Sequence, residues 1–498
     1  MSVHSGDKFP ILLVQPPRRE GVECLFTFHK NDGIGHRPPL GILTLATHLI
    51  RRGFPDTHCL DAQLDDLTPE ELADRIAQDR PEVVGLSVWT DFWYPAYRTI
   101  ELIRRRLPTC RIVLGGPHCL VYPRETLEAC EADFVVAGDG EDTLLELVRD
   151  LCAGGPVRDL PGLWRRDHGM IAGPAIPVAV VADLDSLPVP DRTLLPYRRY
   201  NSLLNPSEYE TTMISSRGCP NRCVFCKMHA QKVHACSAEH FVEEFRQIAS
   251  LGITDVQVYD DTFTWSKKRV LEICRGIIDS GIRLRWAIRD RVNKADAETY
   301  ALLKKAGCYR IHFGVESGSP PILAASGKGI TLEQAEDALA LARDAGFATM
   351  AYYMFGFLDE TYEDALATIR FAVQASSDYA AFAVLIPYPG TALYDTALAR
   401  GTIPSDFWLD FTRKPVPSFR IPHLIEQNMD RTTLIGLKDK ALRSYYFRPG
   451  RILRECVRLQ TWKEFRQKAG MAANIMTDSL RSLIHGGLRP TRALTGGG

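Results

Sequence analysis

The stretch that decides the fold is Ser216-Arg217-Gly218-Cys219-Pro220-Asn221-Arg222-Cys223-Val224-Phe225-Cys226. Its first residue, Ser216, is the last residue of the segment 212–216, which we predict to be a buried strand. Its cysteines have the spacing C-x3-C-x2-C, so three thiolates lie on one short loop. Thiolate ligands grouped in this way suit an iron–sulfur cluster. The sequence therefore predicts that Cys219, Cys223 and Cys226 bind a cluster.

Two other interpretations of the loop remain open. A structural zinc site needs four closed ligands, and His229, His234 or Cys236 offers the fourth. Alternatively, the cysteines are unligated core residues. If three thiolates hold a cluster and no fourth takes part, one iron is open to an exogenous ligand.

Composition limits the class of protein. The chain has 498 residues, of which 45% are apolar and 24% charged, enough for about three domains. Its net charge of −1 argues against a broad nucleic-acid surface, and no apolar run reaches the length of about 18 that suggests a membrane span. The first residues do not resemble a signal peptide, so we expect a cytoplasmic protein. An odd number of scattered cysteines, 13, is not typical of a disulfide framework.

The cysteine loop opens a series of alternating strands and helices. Helical stretches of about a dozen residues separate six strand-like segments, which predicts an open, TIM-like β/α barrel over residues 206–400. Functional side chains of such a barrel collect at the carboxyl ends of its strands. Residues 401–498 read as a helical C-terminal region. The six predicted strands are 212–216, 256–259, 284–288, 310–315, 349–355 and 380–386.

The first segment, residues 1–155, also alternates strands and helices. Apolar strands at 11–14, 83–88, 111–114 and 134–136 predict a doubly wound, Rossmann-like parallel sheet. Ligands of such a sheet bind outside the carboxyl ends of the strands. Residues 156–205 are rich in proline and read as a linker with a small hairpin around 167–169. Small or polar residues at three predicted strand ends form the candidate site: Ser87, Thr90, Gly115, Gly116, Pro117, His118, Gly138, Gly140 and Glu141.

The cysteine spacing after the first barrel strand resembles that of the radical S-adenosylmethionine enzymes. In that family an aromatic residue, here Phe225, precedes the last cysteine and stacks near the adenine of S-adenosylmethionine. The resemblance implies a 4Fe–4S cluster on the three cysteines. It also implies contacts to S-adenosylmethionine from residues that close later barrel strands: Asp260, Asp261, Arg289, Glu316 and Ser317.

The leading segment resembles the cobalamin-binding domain that precedes the barrel in one subgroup of this family. The resemblance rests on Pro16-Pro17, Pro38-Pro39-Leu40-Gly41, Gly115-Gly116-Pro117-His118 and Gly138-Asp139-Gly140-Glu141, and ordinary turns of a doubly wound sheet are the alternative. The D-x-H-x-x-G motif that supplies a lower axial histidine is absent from the sequence. Residues 445–450, YYFRPG, are similar to a segment of the subgroup that includes anaerobic magnesium-protoporphyrin ester cyclase. Relatives often have R-x-R-S where residues 234–237 read HACS.

The resemblance implies a division of labour in which cofactors perform the difficult chemistry. S-adenosylmethionine on the cluster would give a 5′-deoxyadenosyl radical, and methylcobalamin would methylate an unactivated carbon of a small-molecule substrate. We expect flavodoxin or ferredoxin as electron donor, and one cavity between the carboxyl ends of the two sheets. A cobalamin-dependent cyclase or ring-rearranging enzyme is the second interpretation, and a corrinoid sensor or carrier without catalysis is the third.

Overall fold

The structure is a computed structural model that describes residues 9–22, 35–167, 169–202, 209–227, 232–375, 377–422 and 429–458, with 465–466, 469–470, 473 and 477. Its two large sheets hold thirteen strands. The first sheet contains β1 Ile11–Gln15, β2 Thr57–Asp61, β3 Val83–Ser87, β4 Arg111–Gly115, β5 Phe134–Val136, β6 Leu163–Asp167 and β7 Met170–Ala172; the second contains β8 Glu210–Met213, β9 Asp255–Val258, β10 Arg285–Arg291, β11 Cys308–Glu316, β12 Ala348–Phe355 and β13 Tyr379–Val384.

The helices alternate with these strands. They are α1 Leu40–Arg51, α2 Pro69–Asp79, α3 Trp93–Arg106, α4 Pro117–Val121, α5 Pro123–Ala129, α6 Glu141–Cys152, α7 Ala238–Ser250, α8 Lys267–Ser280, α9 Ala297–Lys305, α10 Pro320–Ala325, α11 Leu332–Asp344, α12 Tyr362–Ala375, α13 Ala392–Ala399, α14 Phe407–Arg413, α15 Arg431–Tyr446 and α16 Pro449–Arg458.

The first sheet is doubly wound, as predicted. Its strand order is β2-β1-β3-β4-β5-β6-β7, and the first five strands are parallel. The order reverses between β1 and β3, and such a switch point opens a crevice at the carboxyl ends of the strands. This crevice positions the site described below.

Two edges of the first sheet differ from the sequence prediction. Strand β2 was not predicted, because only part of Thr57–Asp61 is apolar and its burial alternates irregularly. Strands β6 and β7 form the predicted hairpin, and β6 pairs antiparallel with β5, so the hairpin extends the sheet. They lie inside residues 156–205, so part of the proline-rich segment belongs to the sheet; of the predicted hairpin tip, His168 lies outside the described residues.

The second sheet is an open barrel of six parallel strands in the order β8-β9-β10-β11-β12-β13. All six predicted strands are present, with bounds that differ by a few residues. In the described part of the chain β13 does not pair with β8, so the barrel stays open on that side. Trp286, on β10, is buried and meets Phe245 and Phe263 edge to face, at ring distances of 5.7 and 5.5 Å. This aromatic cluster holds α7 and the loop after β9 against the barrel.

The helices after the barrel connect the two halves of the molecule. Helix α14 packs on α5 of the first half, where the Trp93 indole donates to the carbonyl of Thr412 at 3.0 Å. The Tyr122 hydroxyl donates to Asp406 at 3.0 Å. Helix α15 covers β13 of the barrel. Among the helices that the structure describes, none combines the length and apolar character needed to cross a membrane.

Candidate active site between the two sheets

A cavity of about 350 Å³ lies between the carboxyl ends of the two sheets. One wall comes from the first sheet and the start of α1 and α6. The other comes from the segment that leads into the cysteine loop and from residues that follow β9. Its polar and glycine lining residues are Gly41, Gly85, Ser87, Gly115, Gly116, Gly138, Asp139, Gly140, Glu141, Ser216, Arg217, Gly218, Tyr259 and Asp261.

The first wall is apolar and broad. Glycine lies where a side chain would enter the cavity: a Cβ on Gly41 would meet no atom within 4 Å, and one on Gly115 would meet its nearest atom at 3.9 Å. Leu13, Ile42 and Leu86 complete this wall. A smooth surface at a switch point accommodates a large flat ligand, because backbone approaches it closely. The lining therefore fits cobalamin, whose corrin and nucleotide tail are bulky.

Two further glycines of the wall hold the loops in place. Gly116 has φ +98°, and a Cβ there would lie 2.7 Å from the carbonyl oxygen of Val88. Gly138 has φ +105° and abuts the backbone of Ala179. Both positions need glycine for a left-handed backbone and for close contact between loops.

Of the nine residues predicted on this side, six line the cavity and Thr90, Pro117 and His118 do not. The His118 ring is fully buried, stacks on Trp93 at 4.7 Å, and lies 3.4 Å from the Thr90 hydroxyl. Burial lowers the pKa of His118 to about 3, so the ring is neutral. No histidine is among the cavity-lining residues of the described chain.

Arg217 joins the two walls. Its guanidinium forms ion pairs with Asp139 at 2.9 Å and Glu141 at 2.6 Å, and both carboxylates are buried. These carboxylates raise the pKa of Arg217 against the opposing effect of burial. Arg217 lies two residues before Cys219, so its two ion pairs connect the first half of the chain directly to the cysteine loop.

The cysteine loop is anchored to the barrel by its backbone. The Val224 amide donates to the carbonyl of Ser326 at 2.9 Å, and the Val224 carbonyl accepts from Leu393 at 2.8 Å. Two side chains donate to cysteine sulfur: Asn221 to Cys219 at 3.2 Å, and Arg291 to Cys223 at 3.6 Å. Donors of this kind stabilise the negative charge of ligating thiolates.

The thiol of Cys226 lies close to other negative groups. Desolvation raises its pKa to about 11, with further contributions from Cys223, Asp261 and Cys219. Ligation requires the thiolate, so a bound metal centre must displace this proton. The three cysteines influence one another electrostatically, and the sulfur atoms of Cys219 and Cys223 each accept a hydrogen bond from an N–H group. This set of thiols fits a 4Fe–4S cluster.

Two candidate fourth ligands for zinc contact other groups. The His234 ring lies 3.1 Å from the carbonyl of Ala182. Cys236 is buried, and its sulfur accepts from Arg269 at 3.6 Å. The third candidate, His229, lies outside the described residues. Within the described ranges, no three His, Cys, Asp or Glu side chains are grouped to hold a single metal ion.

The two aspartates predicted after β9 have different surroundings. Asp260 is fully buried and accepts four hydrogen bonds, from the amides and hydroxyls of Ser215 and Ser216, at 2.6 to 3.0 Å. It therefore shapes the turn that leads into the cysteine loop. Asp261 is exposed and lines the cavity.

The end of β11 is strained at Glu316, which has φ +73°. A non-glycine residue in this region is unfavourable and is held by its surroundings, often at functional sites. The Glu316 carboxylate forms a buried ion pair with Lys328, whose carbonyl accepts from Arg291. Ser317 is buried, and its hydroxyl contacts Thr368 at 3.1 Å.

Phe225 and Arg289 complete the predicted set. The Phe225 ring meets Phe357 edge to face at 5.8 Å beside the last cysteine. Arg289 is half-buried inside the barrel, with its guanidinium 3.4 Å from the centre of the Tyr259 ring.

Sequence reasoning missed three residues of this site: Arg217, Asp139 and Tyr259. Arg217 and Asp139 lie inside stretches that were recognised, and Tyr259 directly precedes the Asp260-Asp261 pair, so their position in the sequence was a usable signal. Their partners lie far away in sequence; Arg217 and Glu141 are separated by 76 positions.

Known families match both halves of the site. Residues 213–372 match the radical SAM superfamily, and residues 35–148 match the B12 binding domain. These ranges contain the cysteine loop and most of the apolar wall.

Individual proteins extend the match. The chain is 32% identical over 451 residues to "Uncharacterized methyltransferase PH0819" of Pyrococcus horikoshii, covering 89% of this chain and 94% of that protein. It is 28% identical to the anaerobic magnesium-protoporphyrin IX monomethyl ester cyclase of Rubrivivax gelatinosus, covering 72% and 66%.

A solved structure shares the fold. The radical S-adenosylmethionine methyltransferase TsrM from Kitasatospora setae, with cobalamin and a 4Fe–4S cluster bound, superposes with a TM-score of 0.67 at 22% identity, over 80% of this chain and 79% of that one. The sequence matches place the chain among the cobalamin-dependent radical S-adenosylmethionine enzymes, whose cofactors are a 4Fe–4S cluster, S-adenosylmethionine and cobalamin.

Proposed function

We propose that the protein is a C-methyltransferase that places a methyl group on an unactivated carbon of a small molecule. The observation that carries the proposal is the cavity, because the apolar wall and the entrance of the cysteine loop face each other across it. When bound, the cluster and S-adenosylmethionine supply a carbon radical, and cobalamin supplies the methyl group.

The loop residues have separate tasks in this proposal. Cys219, Cys223 and Cys226 hold the cluster. Asn221 and Arg291 donate to two of the sulfur atoms and so ease the reduction of the cluster by an external electron donor such as flavodoxin or ferredoxin.

Binding of S-adenosylmethionine falls to residues around the loop. We assign Phe225 to the adenine, and Asp261 and Glu316 to the charged methionine end. Glu316 is already paired with Lys328, so its carboxylate is held in place before the ligand arrives. Asp260 and Ser317 act as positioning residues, because their side chains are committed to hydrogen bonds within the protein.

On the opposite wall, Ser87, Gly115, Gly116, Gly138, Gly140 and Glu141 form the proposed cobalamin surface. Thr90, Pro117 and His118 support it from behind. The role of these residues is shape: they leave room for the macrocycle and exclude water from the space between the two cofactors.

A cyclase or rearranging enzyme is the second candidate, favoured by the similarity to the ester cyclase of Rubrivivax gelatinosus. S-adenosylhomocysteine separates the two functions without knowledge of the substrate. A methyltransferase loads its methyl group from S-adenosylmethionine and releases S-adenosylhomocysteine, whereas a cyclase releases 5′-deoxyadenosine alone.

The experiment uses protein reconstituted anaerobically with iron, sulfide and cobalamin, then reduced and mixed with S-adenosylmethionine. Methyl transfer predicts S-adenosylhomocysteine in an amount equal to the bound cobalamin. Protein reconstituted without cobalamin is the control. Formation of 5′-deoxyadenosine with no S-adenosylhomocysteine would favour the cyclase, and formation of neither would support a sensor or carrier.

A further inference from the structure

Four polar side chains form a row across the inner face of the barrel. Tyr259 directly follows β9, Arg289 lies on β10, His312 on β11 and Tyr352 on β12. Arg289 and His312 are register partners, so they are neighbours on adjacent strands. Tyr259 also lines the cavity between the sheets. The row therefore leads from the cavity into the barrel.

Two atoms of the row are buried without a hydrogen-bond partner. These are the Tyr259 hydroxyl and Nε2 of His312. His312 is 7% exposed, and its other nitrogen lies 2.8 Å from the Tyr352 hydroxyl. Leaving a buried polar atom unpaired is unfavourable, so both atoms are suited to receive a ligand.

The row is also cationic. Within the residues that the structure describes, Arg289 has no carboxylate within ion-pair distance, and its guanidinium lies on the Tyr259 ring. Arg37, from the first half of the chain, approaches the same ring at 5.5 Å but is paired with Glu210 at 3.7 Å, so Arg289 is the cation that the row offers. Burial, with Arg289 next in effect, lowers the pKa of His312 well below its usual value, so this ring adds no charge of its own.

We propose that the substrate carries a carboxylate or phosphate-type group, and that Arg289, the Tyr259 hydroxyl and Nε2 of His312 bind it inside the barrel. This inference rests on the proposed function, since it names the substrate class of that site. In the proposed site the Tyr352 hydroxyl would donate to Nδ1, so that Nε2 of His312 would carry the proton and donate to the anion. A guanidinium and two N–H or O–H donors match an oxyanion better than any neutral group.

The anionic group of the substrate would be bound by Tyr259, Arg289 and His312 inside the barrel. Because Tyr259 also lines the cavity, the rest of the substrate would extend from there into the cavity. Arg289 was assigned to S-adenosylmethionine by resemblance, and that ligand also has a carboxylate. The two assignments differ in one respect: a substrate site stays available when S-adenosylmethionine is bound.

The test measures binding of three probes to the reconstituted protein, saturated with S-adenosylmethionine and kept without reductant. The probes are benzoate, phenylphosphonate and benzamide, which is the neutral analogue of benzoate. We expect at least one of the two anions to bind about tenfold more tightly than benzamide. The preferred anion distinguishes a carboxylate from a phosphate-type substrate group.

Variants locate the site. Arg289→Gln should abolish the preference for the anion, and Arg275→Gln, on the exposed face of α8, should retain it. Tyr259→Phe removes one hydroxyl and should weaken anion binding about fivefold, as expected for one hydrogen bond. This conservative variant keeps the test decisive if Arg289→Gln does not fold.

Three results would overturn the inference: equal binding of all three probes, a preference that survives both Arg289→Gln and Tyr259→Phe, or a preference that S-adenosylmethionine abolishes. The outcome is separable from that of the proposed function. S-adenosylhomocysteine formation without anion preference contradicts only the anion site. Anion preference without S-adenosylhomocysteine formation contradicts methyl transfer.

Discussion

The two walls of the cavity differ in the balance of residues that build them. The wall from the first sheet is mostly glycine and apolar side chains, its polar lining residues being Ser87, Asp139 and Glu141, with no histidine among its described lining residues. On the barrel side, Arg217, Tyr259 and Asp261 line the cavity, and the loop that begins just after Arg217 carries the three thiols. A large cofactor bound by shape needs room and backbone contact, whereas a reactive cluster needs ligands and charge. The chain meets each demand on a separate sheet.

The sharpest test of this contrast is the loss of one cysteine. Cys223→Ala should remove the cluster and all S-adenosylmethionine cleavage while cobalamin binding persists, because no cysteine lines the apolar wall. Iron analysis, 5′-deoxyadenosine formation and the cobalamin absorption spectrum measure the three quantities. Cys274→Ala, a buried cysteine of α8 far from the loop, is the control. Retained cleavage in Cys223→Ala would refute the assignment.

Breaking the link between the walls should have the next largest effect. Arg217→Gln leaves Asp139 and Glu141 buried without their cation, which typically costs about 3–5 kcal/mol. We expect a lower unfolding midpoint and weaker cobalamin binding in the same variant. Adding Glu141→Gln to Arg217→Gln should recover part of the stability. If cobalamin affinity is unchanged in Arg217→Gln, the two walls are independent.

Filling the apolar wall should affect cobalamin alone. Gly41→Leu would place a side chain where a Cβ meets no protein atom within 4 Å. We expect cobalamin binding to weaken at least about tenfold, with the cluster content unchanged and Gly41→Ala intermediate. Titration with hydroxocobalamin measures the affinity. Equal affinity in Gly41→Leu and the natural protein would place cobalamin elsewhere.

Acid should destabilise the half that contains His118. The folded-state pKa of about 3 lies below the unfolded value of about 6.5, so protonation favours the unfolded chain as pH falls below 6.5. Between pH 7 and pH 5 this residue should remove about 2 kcal/mol of stability. Urea denaturation of His118→Phe should show that much less pH dependence. If His118→Phe has the same pH dependence of unfolding free energy as the natural protein, the account of His118 as a buried, neutral ring is wrong.

A finer difference is expected on the barrel wall. Asn221→Ala removes a donor to the Cys219 sulfur and should lower the reduction potential of the cluster by tens of millivolts, since about 60 mV corresponds to about 1.4 kcal/mol for one electron. Asn221→Asp, which adds a negative charge, should lower it further. Redox titration followed by electron paramagnetic resonance gives the values. A potential that rises in either variant would contradict this role.

The two walls also differ in how well the sequence predicted them. The cysteine loop and all six barrel strands could be predicted, because each depends on the spacing or periodicity of residues that are close together in the sequence. The pairing of Arg217 with Glu141 does not, because it joins two sheets across 76 positions. Asp260 illustrates the same limit. The sequence identifies it as a candidate, but only the structure shows that its carboxylate already accepts hydrogen bonds from Ser215 and Ser216. Strand β2 escaped prediction because an edge strand has less need for apolar residues.

The central claim is that cluster and cobalamin share one cavity, and their magnetic interaction tests it most directly. In reconstituted protein, electron paramagnetic resonance would be recorded for cob(II)alamin with the cluster oxidised and then reduced. A shared cavity predicts that the cob(II)alamin signal broadens or splits and relaxes faster once the cluster carries an unpaired electron. Two spectra that simply add, in protein shown to contain both cofactors, would contradict it.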